Sequence, residues 1–351
     1  MNIIRKLTKE IKVGDVKIGG NNPIAIQSMT NTLTKELDKT LNQIHQLEEA
    51  GCEIVRVGVP DEESAGVLRE IRKNISVPLV ADIHFDHRLA VESAKHVDKL
   101  RINPGNIGSA EKVRAVVDAA KEYSIPIRVG VNMGSLDKDI EKNFGLTAKG
   151  LVESALRNIK LLEDNDFYDI AVSLKASDVM KTIKAYTVIS GLVEYPLHVG
   201  ITEAGSLFSG TIKSSVGIGA LLSRGIGDTM RVSLSADPVE EVKVAKQILQ
   251  SLGLRRFGII VTSCPTCARA NLDVGKVALE LEEAVRNIKM PLNIAVMGCA
   301  VNGPGEAKEA DIGVVGGKDG CLFYKDGEVI GKIKKEEVVS RVMEDIGLRV
   351  V

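Results

Sequence analysis

Three cysteines carry the most specific chemistry in this chain. "SCPTCAR", Ser263 to Arg269, spaces Cys264 and Cys267 as C-x-x-C, and "GCAVNGPGE", Gly298 to Glu306, adds Cys299. Thiolates in such a pattern hold zinc or an iron–sulfur cluster, and four ligands are the norm for both. No His follows His198, so the fourth ligand is not an imidazole from the C-terminal part. A C-x-x-C alone also fits a thioredoxin-like redox pair, but that reading leaves Cys299 without a use. The Asn-Gly-Pro-Gly run is expected to turn the backbone and could aim Glu306 at the point Cys299 faces. A carboxylate is a hard ligand, poorly matched to a structural thiolate site and more exchangeable on iron. Cys321 and Cys52 read as buried core thiols.

A second group is cationic. Arg56, Arg101, Arg128, Lys175 and Arg231 each fall in or near the C-terminal half of a short apolar run bounded by turn formers. A buried, unpaired cation costs several kcal/mol, roughly, even after relaxation. Either internal carboxylates (Asp82, Asp178, Glu203 or Asp228) neutralise these groups, or an anionic ligand does. Guanidinium forks suit phosphate, and several together favour a diphosphate over a single carboxylate. Asn132, Ser233, Glu203, Asp82 and His84 sit at comparable positions. Glu203, in "GITEAG", is the best placed of them to give or take a proton. "KSSVGIG", Lys213 to Gly219, reads either as a phosphate-binding loop opening a helix or as a plain loop and cap.

These residues need a scaffold. Eight apolar runs begin at Ile24, Ile54, Leu79, Lys99, Ile127, Ile170, Leu197 and Thr229, and helical patterns separate them. Strands buried on both faces and alternating with helices predict a parallel (β/α)8 barrel of the TIM type, with an open doubly wound sheet as the rival. In such a barrel the C-terminal strand ends face the active site, where the cations lie. A small hairpin is expected ahead of the first barrel strand. After Gly253 the pattern changes to a compact α+β domain, with a strand running into Cys264, another into Cys299, a meander with Gly and Asp-Gly turns, and a closing helix. Residues 1–250 are thus expected to form the substrate-binding barrel and 251–351 the cysteine domain.

Bulk properties narrow the class. The chain has 351 residues, 44% hydrophobic and 26% charged, with a formal net charge of −1. No charge excess points to nucleic acid, and no apolar run predicts a membrane span. The N-terminus carries no secretory pattern, and five cysteines in a chain this long fit a reducing cytoplasm better than a disulfide scaffold.

"VRVGVP", "LRINPGNIG", "VGVNMGSL", "SLKAS", "GITEAG", "IKSSVGIG", "IGDTMRVSLSADP", "CPTC" and "GCAVNGPGE", in that order, closely resemble the bacterial short form of the 4-hydroxy-3-methylbut-2-enyl diphosphate synthase family of the non-mevalonate isoprenoid pathway. The resemblance implies a (β/α)8 barrel joined to a domain like those of sulfite and nitrite reductases. It implies a [4Fe–4S] cluster on Cys264, Cys267, Cys299 and Glu306, whose carboxylate substrate could displace. It implies reductive ring opening and dehydration of 2-C-methyl-D-erythritol 2,4-cyclodiphosphate, with electrons from flavodoxin or ferredoxin. It implies a homodimer in which the cluster domain of one subunit closes over the barrel of the other. By matching motifs, Arg56, Arg101, Arg128, Asn132, Lys175, Arg231 and Ser233 would bind the cyclic diphosphate, and Glu203 would handle a proton. Two readings of other classes remain at this point: a redox-inert phosphosugar lyase or aldolase barrel with a structural zinc, and a non-enzymatic iron–sulfur scaffold.

Overall fold

The structure is a computed structural model describing residues 3–286 and 288–350. It divides into two compact units, Met1–Arg255 and Arg256–Val351.

The first unit opens with a hairpin, β1 (Ile11–Val13) and β2 (Val16–Ile18), turned at Gly14–Asp15. Eight parallel strands follow: β3 (Ala25–Met29), β4 (Ile54–Gly58), β5 (Leu79–Asp82), β6 (Lys99–Ile102), β7 (Ile127–Asn132), β8 (Ile170–Lys175), β9 (His198–Val199) and β10 (Thr229–Met230). They pair in the order β8-β7-β6-β5-β4-β3-β10-β9, and a parallel bridge from Val172 to Leu197 joins β8 to β9. The sheet therefore closes on itself as a barrel, and the open doubly wound alternative is set aside. β9 and β10 are only two residues long, so Arg231 and Ser233 lie just beyond a strand rather than in one.

Helices fill the crossovers, and their starts follow from sequence. Asp61, Asp178 and Asp237 each accept a backbone N–H in the first turn of the helix they cap, as does Thr147. Asp178 is thereby occupied and is not a counter-ion for the barrel cations. The helix expected after Asp61 is broken at Val67 into Glu62–Gly66 and Leu68–Lys73. The "KSSVGIG" segment is neither loop nor helix start: it lies inside the helix Leu207–Leu222, with Ser214 and Gly217 buried.

The hairpin decides which end of the barrel is open. Its Ile11, Val13 and Ile18 pack with Ala25, Ile54, Val80 and Ala171, all at or near the N-terminal ends of their strands. That apolar plug closes one end. The last residues of β5, β7 and β8 are Asp82, Asn132 and Lys175, so the polar side chains gather at the other.

The second unit is a five-stranded sheet in the order β11 (Ile260–Ser263), β12 (Asn293–Met297), β13 (Ile312–Gly317), β14 (Gly320–Lys325), β15 (Glu328–Ile333). β11, β12 and β13 are parallel, and β13, β14 and β15 form the antiparallel meander. One face packs on the helices Val274–Val285 and Val338–Val350 through Val277, Leu281, Val296, Val314, Phe323, Val342 and Ile346. Among the described residues no helix is long and apolar enough to cross a membrane.

Candidate active site

Inside the barrel, successive inward positions are two residues apart. That period places Lys99 and Arg101 of β6 on one face, Arg128, Gly130 and Asn132 of β7 on another, and Ser173 and Lys175 of β8 on a third. Arg56, Asp82, Lys99, Arg101, Arg128 and Lys175 are all buried.

Asp82 is the hub. Its Oδ1 accepts from Arg101 Nη1 at 2.9 Å, and its Oδ2 lies 3.7 Å from Arg56 Nε. Burial alone would raise the Asp82 carboxyl, but Arg56, Arg101 and His84 hold it well below the usual carboxylate range. Arg101 Nη1 also lies 2.9 Å from His84 Nε2. Arg101 Nη2 reaches the Gly130 carbonyl at 3.3 Å. A Cβ on Gly130 would stand 2.2 Å from Arg101 Nε, so only glycine lets the guanidinium lie flat on that strand. Gly200 does the same for Lys175: a Cβ there would meet the Lys175 Nζ at 2.9 Å and the Arg231 carbonyl at 2.4 Å.

Arg231 has its own partner. Its Nε and Nη2 donate to the two oxygens of Glu241 at 3.2 and 3.1 Å. Glu241 is buried in the first turn of the helix Pro238–Ser251 and also accepts from Ser28 Oγ and Leu234 N. Internal salt bridges therefore cover Arg56, Arg101 and Arg231, with Asp82 as one expected partner and Glu241 as an unexpected one. Asp228, another expected partner, is engaged by Arg5 and Thr8 and by Leu197 N at the N-terminal end of the barrel.

Arg128, Lys175 and Lys99 have no carboxylate of their own among the described residues. Arg128 donates to the neutral Gln27 Oε1 at 2.9 Å and spans the barrel interior from β7 to β3. Burial first, then the neighbouring guanidiniums, pushes Lys175 and Lys99 well below the ordinary lysine range and Arg128 downward as well. Burial lowers Arg56 to about 10, with Asp82 opposing the shift. Six buried or half-buried cations thus share two carboxylates, and the surplus positive charge faces an open barrel end. Its chemistry is that of a polyanion site.

Asn132 ends β7 and Ser233 follows β10, both half-buried. Glu203 is exposed on the loop after β9 and holds a left-handed backbone, φ 51°, unusual for a residue with a side chain. Phe85, beside His84, and Leu33 are exposed apolar residues on the loops after β5 and β3.

In the second unit the cysteines sit at matching strand ends, Cys264 directly after β11 and Cys299 two residues after β12. Gly298 N donates to Cys264 Sγ at 3.1 Å, Asn271 N donates to the Gly298 carbonyl, and Cys267 O accepts from Ala270 N. These bonds tie the two cysteine loops together. Cys264 and Cys299 are half-buried, Cys267 is exposed, and all three are free thiols. Gly303-Pro304-Gly305 is not itself a turn: after a turn at 300–302, Gly303–Glu309 is a helix with Pro304 in its first turn, and Glu306 is exposed there, with its N–H on the Asn302 carbonyl. Proline at a helix start needs no N–H, which is why "NGPG" begins a helix here. Among the described residues no three His, Cys, Asp or Glu side chains converge tightly enough to grip a single metal ion. The donor set nevertheless fits a cluster better than one ion. Three soft thiols beyond the C-terminal ends of two adjacent parallel strands suit iron–sulfur ligation, and a backbone amide donates to one sulfur, a contact that tunes such sites.

Lys99, Gln27, Glu241, Gly130 and Gly200 were missed by reasoning from strand ends. Lys99 had a signal, since it lies two residues before Arg101 on the same strand face. Glu241 had none, because one of two adjacent acids in a helix's first turn does not announce which points inward.

Residues 8–246 match the family described as the GcpE TIM-barrel domain, and residues 260–347 match the GcpE protein C-terminal domain. The chain is 57% identical over 345 residues to a protein of Caldanaerobacter subterraneus subsp. tengcongensis named 4-hydroxy-3-methylbut-2-en-1-yl diphosphate synthase (flavodoxin), covering 98% of this chain and 97% of that one. It is 56% identical to the protein of that name from Geobacillus thermodenitrificans, over 98% of this chain and 92% of the relative. Among solved structures, dihydropteroate synthase from Xanthomonas albilineans overlays 70% of this chain and 99% of its own with a TM-score of 0.51 at 11% identity, a likeness of fold alone.

Proposed function

The chain belongs to the GcpE family of 4-hydroxy-3-methylbut-2-en-1-yl diphosphate synthases, and from that premise we propose how its own residues serve the reaction. The reaction is the reductive opening of 2-C-methyl-D-erythritol 2,4-cyclodiphosphate. A ring C–O bond breaks, two electrons and two protons are taken up, and one hydroxyl leaves as water, giving 4-hydroxy-3-methylbut-2-enyl diphosphate. The observation that carries this reading is the surplus of buried cations around Asp82, of which Arg128 and Lys175 lack a carboxylate partner among the described residues.

The barrel binds and holds the diphosphate. Arg128 and Lys175 supply unneutralised charge, while Arg56, Arg101 and Arg231 are held in place by Asp82 and Glu241 and need no rearrangement. When the ring bond breaks, negative charge grows on the diphosphate oxygen, and donors fixed beforehand stabilise it without reorganising. Asn132 and Ser233 give neutral hydrogen bonds at the open end. Glu203, on its strained loop, provides the proton for the departing hydroxyl. Burial of the cations within the barrel keeps water from competing for the diphosphate.

Cys264, Cys267, Cys299 and Glu306 would hold a [4Fe–4S] cluster, which supplies one-electron transfer when bound. Flavodoxin or ferredoxin is the electron donor on this reading, and the cytoplasm is the compartment. The chain acts as a homodimer, and an apolar stripe supports this: Phe208, Ile212 and Val216, four residues apart on one helix, are 79%, 49% and 55% exposed.

Replacing Arg128 by Ala tests the substrate assignment. We expect weaker binding of the cyclic diphosphate by calorimetry; unchanged affinity would reduce Arg128 to a structural partner of Gln27. The zinc-lyase alternative loses ground to full-length relatives named as the reductive synthase.

A further inference from the structure

Below the Asp82 layer the barrel contains a second, deeper set of unpartnered polar atoms. Lys99 Nζ, Arg128 Nε, Gln27 Nε2 and His198 Nε2 are all buried with no hydrogen-bond partner among the described residues. Their side chains are 0%, 1%, 1% and 1% exposed. They come from β6, β7, β3 and β9, strands around the whole barrel, and the Arg128–Gln27 bond crosses between two of them. Their depth follows from the strands. Lys99 is the first residue of β6 and pairs in register with Val80, a member of the apolar plug. Gln27 is two residues beyond Ala25 of the same plug, and His198 is the first residue of β9.

A buried polar atom left without a partner is destabilising, and more so when charged. Four together, two of them on basic side chains, are not retained for packing. The other His198 ring nitrogen is already engaged by Thr229 Oγ1 at 2.8 Å, so only Nε2 is left to turn toward this set. Arg128 is the neighbouring charge that weighs most on both Lys99 and His198, which places the three in one electrostatic neighbourhood. Asp82 is already shared by Arg56 and Arg101. Water could accept the hydrogen bonds but would leave the charge uncompensated.

We propose that the floor of the barrel holds a small monovalent anion of halide size, bound by Lys99, Arg128, Gln27 and His198, beneath the diphosphate site and sharing Arg128 with it. The anion keeps Lys99 charged and fixes Arg128 at the height where its outer nitrogens meet substrate. The site stands whether or not the open end binds the cyclic diphosphate, because it lies beneath the Asp82 layer and its test uses no turnover.

The test is thermal unfolding of the full-length protein in sodium bromide against sodium gluconate at equal ionic strength. In the unsubstituted protein the midpoint should rise with bromide and saturate. Lys99→Met should abolish the rise. Gln27→Glu should abolish it as well while raising the midpoint in gluconate, since the new carboxylate supplies the missing charge and still accepts from Arg128. Because Gln27→Glu adds a counter-charge, it remains informative if Lys99→Met does not fold. Bromide-soaked crystals should show an anomalous peak within hydrogen-bond reach of Lys99 Nζ. Equal bromide responses in the unsubstituted protein and Gln27→Glu, or no peak at Lys99, would overturn the assignment in favour of a neutral lysine and water.

Discussion

Arg101 and Asp82 are joined across adjacent strands by a 2.9 Å hydrogen bond between buried side chains, and the guanidinium lies against the bare Cα of Gly130. The pair fixes Arg101 before any ligand arrives. A methyl group at position 130 must displace it. Gly130→Ala should therefore leave the fold intact by circular dichroism and cut kcat/KM by roughly 10²-fold, the scale of losing one preorganised donor. A fully active variant would show that Arg101 does not need this seat.

Asp82 also makes an acid-stability prediction. Its folded-state pKa is depressed, so its contribution is present above the unfolded carboxylate range and is lost as pH falls through the lower folded value. Removing one partner of a buried charge set costs about 3–5 kcal/mol. Asp82→Asn should thus be destabilised near neutral pH and flatten the fall in stability below about pH 4. Urea unfolding across pH measures both. Inorganic pyrophosphate should restore more stability to Asp82→Asn than to the unsubstituted protein, because it replaces lost negative charge.

Glu241 positions Arg231 through both of its carboxylate oxygens. Glu241→Gln keeps the shape and the bond from Leu234 N but weakens the hold on the guanidinium. We expect KM for the cyclic diphosphate to rise several-fold with kcat less affected, and Glu241→Asp to recover only part of the loss. A kcat-only effect would place Glu241 in the chemistry instead.

Much of this site was legible in the sequence because strand alternation is a strict rule. Arg56, Arg101, Arg128 and Lys175 follow it, and a period of two puts them inside a closed sheet. The charge partners were less legible. Asp82 obeys the strand rule, whereas Glu241 comes from a helix whose rotation about its axis is set by packing. The "NGPG" and "KSSVGIG" segments misled for a shared reason. Glycine and proline mark turns only where no helix begins or continues, and here Pro304 starts one while Gly217 lets another pack against Ile201. The hairpin was visible as a pattern, but its role as the barrel's floor depends on contacts with Ala25, Ile54, Val80 and Ala171 that no local pattern encodes.

If the chain pairs as proposed, the exposed stripe of Phe208, Ile212 and Val216 is the expected interface. Ile212→Glu should shift the molar mass by light scattering from dimer toward monomer without unfolding the barrel. Persistence of the dimer would move the interface elsewhere.

The thiols and Glu306 carry distinguishable predictions. Cys299→Ser, purified without oxygen, should lose the broad absorbance near 400 nm and most of the bound iron, roughly four per chain in the unsubstituted protein. Glu306→Ala should keep more of the iron than Cys299→Ser while losing turnover. A colourless unsubstituted protein containing zinc would contradict the ligand set.

The reductive role is tested most directly by anaerobic turnover. Iron-loaded protein, reduced flavodoxin and 2-C-methyl-D-erythritol 2,4-cyclodiphosphate are combined, and product is followed by phosphorus NMR. Conversion to 4-hydroxy-3-methylbut-2-enyl diphosphate with two electrons consumed per molecule is the expected result. Reduced, iron-loaded protein that binds the cyclic diphosphate yet leaves its ring closed would contradict it.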